Sequence, residues 1–305
     1  MKKILSILFI LTITFSFASC SNSSTTGSKK ISVVATIFPY YDFAKHAAGD
    51  YADVEMLLTP GSDIHSYEPT PSDIAKIEEC DMFIYTGGES DSWVEEILNS
   101  IDKLSSKKIL KMINYVPKKN EVDADHITGD EIDEHIWTSP VNAENLTGII
   151  GSNLGKLDLK NQVHYEENAD NYIKEIDSVH KNIKSFTANL QNNRIVVADR
   201  FPLLYFTEAY KLQWECAFPG CSSETEPSLA RLSKLQKIIK NENIKSIFKL
   251  DQSENRVAET LSEDTNTKVL TFYSCETISQ RDFDNGETYT TLMAQNFTAL
   301  REALG

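Results

Sequence analysis

Two histidines of this chain lie in turns whose other residues suit metal binding. His65 lies within the segment GSDIHSYEPTPSD (61–73), and His135 lies within DEHIWTSP (133–140). Each histidine has a carboxylate close by in sequence and prolines that restrict the turn. A neutral imidazole is a common zinc ligand, and a nearby carboxylate can fix its tautomer. The two segments therefore predict that imidazoles from two separate turns bind one divalent metal ion.

Both segments resemble motifs of a known protein family. The first is similar to the PGxDxHxYEPxPxD loop, and the second to the DxHxWxxP loop, of solute-binding lipoproteins that deliver zinc or manganese to ABC importers. The likeness covers nearly the whole chain beyond its N-terminus, including IFP at 37–39 and GETY at 286–289. It implies that His65 and His135 each supply one ligand, that Zn²⁺ or Mn²⁺ is the transported cargo, and that an ABC permease is the partner.

The acidic ligands expected from the second half of the chain are less clear. The family's third ligand, a histidine or glutamate, lies five residues before a tyrosine, where this chain has Arg200 ahead of Tyr205. A guanidinium has only donors and cannot bind a cation. The neighbouring Asp199 is therefore the expected ligand. The alternative is that Asp199 forms a structural cap or a salt bridge with Arg200.

Two further residues are candidate ligands by the same resemblance. The family's fourth ligand is an aspartate after the last strand, where this chain has Cys275 followed by Glu276. A thiolate would favour zinc over manganese, and a buried inert thiol is the alternative. Glu224 lies at a strand-to-helix turn, in the FPGCSSETE stretch (218–226) that, with ADRFP, resembles a divergent subset of the family; a helix cap is its alternative role. The predicted metal ligands are His65, His135, Asp199, Glu224 and Cys275.

Other functional classes remain as alternatives. Two loop histidines with carboxylates could form a hydrolytic zinc site, but the chain has no HExxH, GxSxG or P-loop motif. We therefore expect a binding protein and not an enzyme. A structural or adhesive surface lipoprotein would lack tight metal binding. A receptor for an organic solute would have an aromatic-lined cleft without metal.

Alternating strands and helices must position these turns. Continuous apolar runs, typical of buried parallel strands, alternate with helical patterns in the first half, and the same plan repeats from Arg194 onward. Such alternation predicts a parallel sheet with helices on both faces. Ligands of such sheets bind beyond the carboxyl ends of the strands. His65 fits this rule because it follows the second predicted strand by a few residues.

A long helix separates the two halves. Residues 159–192 contain no proline, and their apolar residues recur at spacings of three and four. The predicted fold is α/β, with two lobes, each a parallel sheet flanked by helices, joined by one long connector helix. The expected bounds are 31–155 for the first lobe, 156–193 for the connector and 194–305 for the second lobe. The polar, acidic stretch 118–134 is expected to be an exposed loop.

The N-terminus predicts export. Two lysines precede an apolar run that reaches Phe17, followed by Ala18-Ser19-Cys20. This order is typical of a signal peptide (1–19), which is shorter than the roughly 20 residues of a spanning helix. A cysteine after small residues resembles a lipoprotein cleavage site, so Cys20 is expected to carry lipid and 20–30 to form a flexible tether. The alternative is a plain signal peptide. The expected location is the extracellular face of the cytoplasmic membrane.

Charge and cysteine content limit the remaining possibilities. The chain has 45 acidic and 30 basic residues, a net charge of −15, which disfavours nucleic acid and favours cations. We expect a monomer held at the membrane by its lipid anchor. No CxxC spacing occurs, so a structural zinc cluster is not expected. Cys216 and Cys221 could form a local disulfide or remain buried thiols.

Overall fold

Two four-stranded parallel sheets form the centres of two lobes. The computed structural model describes residues 30–101, 104–218, 227–254 and 256–305. The first sheet has the order β2-β1-β3-β4 and consists of β1 (Ile31–Ala35), β2 (Ala52–Met56), β3 (Met82–Tyr85) and β4 (Lys108–Lys111). An antiparallel hairpin follows, formed by β5 (Asn120–Val122) and β6 (Thr128–Ile132).

The second sheet repeats the order of the first. It runs β10-β9-β7-β8 and consists of β7 (Arg194–Val197), β8 (Gln213–Cys216), β9 (Ser246–Leu250) and β10 (Lys268–Phe272). In each lobe the first strand lies between the second and third, and all pairings are parallel. The predicted α/β fold with two lobes is confirmed.

Ten α-helices are present in the described part of the chain. In the first lobe they are α1 (Phe38–Ala48), α2 (Pro71–Glu79), α3 (Ser92–Ser100) and α4 (Pro140–Leu157). The long α5 (Gln162–Thr187) follows. The second lobe adds α6 (Leu204–Ala209), α7 (Leu229–Asn241), α8 (Arg256–Thr265), α9 (Gln280–Asp284) and α10 (Tyr289–Leu304). None of these helices is long and apolar enough to cross a membrane.

Capping fixes the helix that follows the His65 turn. The Thr70 side chain accepts from the backbone N–H of Asp73, and the Asp73 carboxylate accepts from the backbone N–H of Thr70. Pro71 occupies the first turn of α2, where its missing N–H costs nothing. This reciprocal cap sets where the chain leaves the turn and enters α2.

Helix α5 packs against both lobes. Its apolar face has Tyr165, Tyr172 and Ile176 buried, and the helix contacts α1 and α4 of the first lobe and α10 of the second. The buried carboxylate of Asp42 in α1 accepts hydrogen bonds from the Tyr172 hydroxyl and from the backbone N–H of Tyr289, at the start of α10. One carboxylate therefore joins α1, α5 and α10. The predicted boundary at 155 falls inside α4, which continues to Leu157.

The stretch 118–134 is largely exposed, as predicted, but it forms a hairpin that contacts the second lobe, so the prediction of a loop is wrong. Asp125, in the turn between β5 and β6, lies 3.4 Å from Lys234 Nζ. The His126 ring centroid lies 4.4 Å from that of Trp214, and its Nε2 is 3.6 Å from a Glu215 oxygen. The sequence hid this hairpin because its partners belong to the other lobe, so its polar residues show no periodicity of their own.

Candidate metal centre

Three side chains from the two lobes converge in the cleft. The ligand atoms of His65, His135 and Glu276 all lie within 4.8 Å of one another. Glu276 Oε1 is 3.6 Å from His65 Nε2 and 3.5 Å from His135 Nε2. These distances exceed ordinary hydrogen bonds of about 2.7–3.2 Å. They approach the roughly 3.3 Å that separates two ligand atoms around tetrahedral zinc with bonds near 2.05 Å.

His65 is held by its own loop and by a serine from the next one. The loop forms a short 3₁₀ turn at Ile64–Ser66, in which Asp63 Oδ1 accepts from the His65 backbone N–H at 3.0 Å. His65 Nδ1 lies 2.9 Å from Ser90 Oγ, and the Ser90 hydroxyl donates to Glu134. Since the serine's proton is directed to Glu134, its oxygen accepts from His65 Nδ1–H. The lone pair of His65 then lies on Nε2, which faces Glu276.

His135 is fixed by a single carboxylate. Asp133 Oδ1 accepts from the backbone N–H of His135 at 2.8 Å and from its Nδ1 at 3.1 Å. The imidazole is only 1% exposed and packs edge-on against Trp137, with ring centroids 5.5 Å apart. Carboxylate support of this kind is the usual second partner of a metal-binding histidine. It leaves Nε2 as the basic nitrogen, again directed at Glu276.

Glu276 supplies the negative charge of the cluster. Burial alone would raise the pKa of its carboxyl group. The interaction with His135, followed by the charges of His65 and Arg200, outweighs burial, so the pKa of Glu276 lies below its ordinary value. Glu276 Oε1 is buried and has no hydrogen-bond partner among the residues the structure describes. An ionised, buried and unsatisfied oxygen between two imidazole nitrogens suits a divalent cation.

Comparison with known proteins identifies the family. A family model described as zinc-uptake complex component A, periplasmic (ZnuA), matches residues 33–303. The chain belongs to the ZnuA family.

Relatives in this family are similar along the whole chain. The high-affinity zinc uptake system protein ZnuA of Bacillus subtilis (strain 168) is 31% identical over 310 residues, covering 97% of each chain. The zinc-binding lipoprotein AdcA of Streptococcus pneumoniae (strain ATCC BAA-255 / R6) is 31% identical over 309 residues, which cover 99% of this chain but only 61% of AdcA. The Zn(II)-bound ZnuA-like domain of that species' AdcA has a TM-score of 0.77 at 29% identity, covering 90% of this chain and 99% of the domain.

Cys275 does not join the cluster of this ZnuA-family chain, which corrects the sequence prediction. Its side chain is fully buried in the core, and burial raises the pKa of the thiol well above its ordinary value. The backbone of Cys275 has φ 58°, a left-handed turn that is costly for a residue with a Cβ. That turn directs Cys275 into the core and the next residue, Glu276, into the cleft.

Asp199 lines the cleft but does not reach the cluster either. Its Oδ1 accepts from the backbone N–H of Arg200 at 2.8 Å, and its Oδ2 accepts from the backbone N–H of Leu250 at 3.1 Å. Both oxygens are thus engaged in joining the carboxyl ends of β7 and β9. The alternative of a structural cap describes its position, and the prediction of Asp199 as a ligand is corrected.

Three residues named in the sequence analysis, Glu224, Cys221 and Cys20, lie outside the described residues. Cys216 is a buried free thiol whose pKa is raised by burial to about 12. Its Sγ lies 3.3 Å from the Phe218 carbonyl oxygen.

The sequence predicted that a nearby carboxylate fixes the tautomer of His135, and Asp133 lies at that position. Two other residues around the site were missed: Ser90, which supports His65, and Asp251, which lines the cleft after β9. Burial raises the pKa of Asp251 to about 6, although its Oδ1 accepts from the backbone N–H of Ser274. The available signal was positional, because Asp251 directly follows a strand of a parallel sheet. Nothing local distinguishes Ser90 from the other serines of the chain.

The supporting hydrogen bonds give a first prediction. Ser90→Ala and Asp133→Ala should each weaken zinc binding about 10- to 100-fold, because each frees the tautomer and orientation of one imidazole. Chelator competition on the purified variants measures the change. Ser66→Ala is the matched control, since Ser66 lies in the same turn as His65 but donates only to the Asp63 carbonyl oxygen. Equal affinities for Ser66→Ala and Ser90→Ala would contradict the role of Ser90.

Proposed function

We propose that this chain is the solute-binding receptor of an ABC importer and that it captures a divalent transition metal between its lobes. Zinc is the first expected cargo and manganese the second. The observation that carries the proposal is the convergence of His65 Nε2, His135 Nε2 and Glu276 Oε1. Two imidazoles and one carboxylate form a ligand set that zinc accepts readily. The zinc-related names of the relatives agree with this choice.

The cleft supports an ion as cargo better than an organic solute. Its cavity has a volume of about 110 Å³, below the roughly 300–1,000 Å³ of sites for small organic molecules. Its polar lining includes His65, Arg200, Asp251 and Glu276. A hydrolase would need room for a substrate beside the metal. We therefore favour capture and delivery over catalysis.

A metal ion bound between the lobes would couple the occupancy of the cleft to the relative position of the lobes. His65 and His135 belong to the first lobe, whereas Glu276 follows β10 of the second. A cation held by all three stabilises the arrangement in which the lobes are closed, by no more than its difference in affinity for the closed and open forms. This difference would let the permease of the importer distinguish loaded from empty receptor.

Metal analysis of the purified protein tests the proposal. The chain without residues 1–19, purified without an affinity tag or chelator, should hold one zinc per molecule and bind zinc more tightly than manganese, following the general affinity order of divalent metals. Native mass spectrometry gives the stoichiometry, and competition with a coloured chelator gives the affinities. Absence of binding at micromolar zinc would refute the function and favour a structural or adhesive lipoprotein.

We further propose that Cys20 carries the lipid that holds the receptor at the outer face of the membrane. Cys20→Ala expressed in the native host should be released into the medium or retained with an uncleaved N-terminus, because no thiol remains for acylation. Membrane fractionation with metabolic labelling by a fatty acid measures this outcome. A Cys20→Ala protein that still carries acyl chains would contradict the assignment, and Ser21→Ala is the matched control.

A further inference from the structure

Arg200 places a positive charge at the edge of the metal-binding cleft. It follows β7 in the second lobe and lines the same cavity as His65, His135 and Glu276. Its Nη2 lies 3.7 Å from Oδ2 of Asp63, in the first lobe. Its charge also contributes to the low pKa of Glu276. The guanidinium therefore acts on one carboxylate of each lobe.

A guanidinium at this position opposes cation binding. Two neutral imidazoles and one carboxylate leave a divalent ion with a net charge of about +1, and like charges repel over several ångströms in a partly desolvated cleft. Asp63 offsets part of this repulsion. It also accepts from the His65 backbone N–H through its other oxygen, so it belongs to the loop that carries a candidate ligand.

A bound cation and Arg200 therefore oppose each other. The ion neutralises the Glu276 carboxylate, and its remaining positive charge repels the guanidinium. The guanidinium lies 3.7 Å from Asp63 Oδ2, so this carboxylate of the first lobe lowers the repulsion in part.

We propose that the charge of Arg200 lowers the affinity of the cleft for its cation, and that Asp63 offsets part of this effect. This inference rests on the proposed function, since it concerns the same cleft. Arg200 is a charge-setting residue and not a ligand. By the reciprocity of linkage, a bound cation disfavours the guanidinium by the same free energy by which the guanidinium disfavours the cation.

The first experiment compares zinc affinities of the wild type, Arg200→Gln and Arg200→Lys by chelator competition at two ionic strengths. Arg200→Gln should bind zinc about three- to tenfold more tightly at low salt, and the gain should shrink at high salt because the charge is partly exposed. Arg200→Lys should stay close to the wild type, since it keeps the charge. A gain that is independent of salt, or that also appears in Arg200→Lys, would overturn the proposal.

The second experiment tests whether Asp63 offsets the charge of Arg200. Asp63→Asn removes the charge but keeps an oxygen that can accept from the His65 N–H. It should weaken zinc binding, because the guanidinium then repels the ion without a compensating carboxylate. An unchanged zinc affinity in Asp63→Asn would refute the role of Asp63.

The outcomes separate this inference from the function on which it rests. If the wild-type chain binds no zinc or manganese, the proposed function fails. If the wild type binds metal and Arg200→Gln does not tighten the binding, the function stands and the role of Arg200 fails. Thermal unfolding of each metal-free variant controls for changes in folding, because the backbone N–H of residue 200 keeps its bond to Asp199 in all of them.

Discussion

Replacing either His65 or His135 by alanine is expected to weaken zinc binding by about 100-fold or more, beyond the 10- to 100-fold that supporting residues typically contribute. Each substitution removes one of three converging ligand atoms and leaves the Glu276 carboxylate with a single imidazole. Chelator competition on purified protein gives the affinities. The double variant should show no stoichiometric binding at micromolar zinc.

The matched control for the histidine substitutions is His164→Ala. His164 stacks on Tyr51, with ring centroids 4.4 Å apart, on a helix away from the cluster. It should bind zinc as the wild type does. Wild-type affinity in the double variant would contradict the site.

Glu276→Gln is expected to have an effect comparable to the loss of a histidine. The amide keeps the shape of the side chain but removes its negative charge, so the ion would lie between neutral ligands and near Arg200. Because the pKa of Glu276 lies below its ordinary value, the carboxylate stays ionised as pH falls through the neutral and mildly acidic range. The loss caused by Glu276→Gln should therefore be present throughout that range.

Two neighbouring variants separate the ligand from the residues that the sequence favoured. Cys275→Ala should leave zinc affinity within about threefold of the wild type, since the thiol is buried away from the cleft. Asp199→Ala should mainly lower the free energy of unfolding, by about 1–3 kcal/mol, because it leaves two partly buried backbone N–H groups without their acceptor. Loss of zinc binding in either variant with retention in Glu276→Gln would restore the sequence-based ligand set.

The sequence predicted the fold and the histidines because both depend on local patterns. Apolar runs alternating with helical periodicity were sufficient for two parallel sheets, and the two histidine turns carry their own carboxylates and prolines. Which of Cys275 and Glu276 faces the metal site could not be predicted from a local pattern. It depends on one left-handed residue after β10, and that conformation is imposed by the core into which Cys275 packs.

The sequence also failed to predict three features whose roles depend on distant parts of the chain. Asp199 is engaged by the backbone N–H of Leu250, which is 51 residues away, so its own neighbours in sequence could not reveal its role. The same applies to Ser90, 25 residues from the imidazole that it supports. The hairpin at 118–134 was predicted as a loop because its stabilising partners, including Trp214 and Lys234, lie in the other lobe.

The packing of α5 on both lobes limits how far the receptor can move. A helix of 26 residues is about 39 Å long, and it behaves as a strut because Asp42 anchors it to α1 and α10 at once. Few backbone degrees of freedom remain for a wide hinge rotation. We expect the empty and loaded receptors to have nearly the same radius of gyration in solution scattering. A permease would then recognise loading from the detailed surface at the rim of the cleft, because the overall outline of the molecule would carry almost no information.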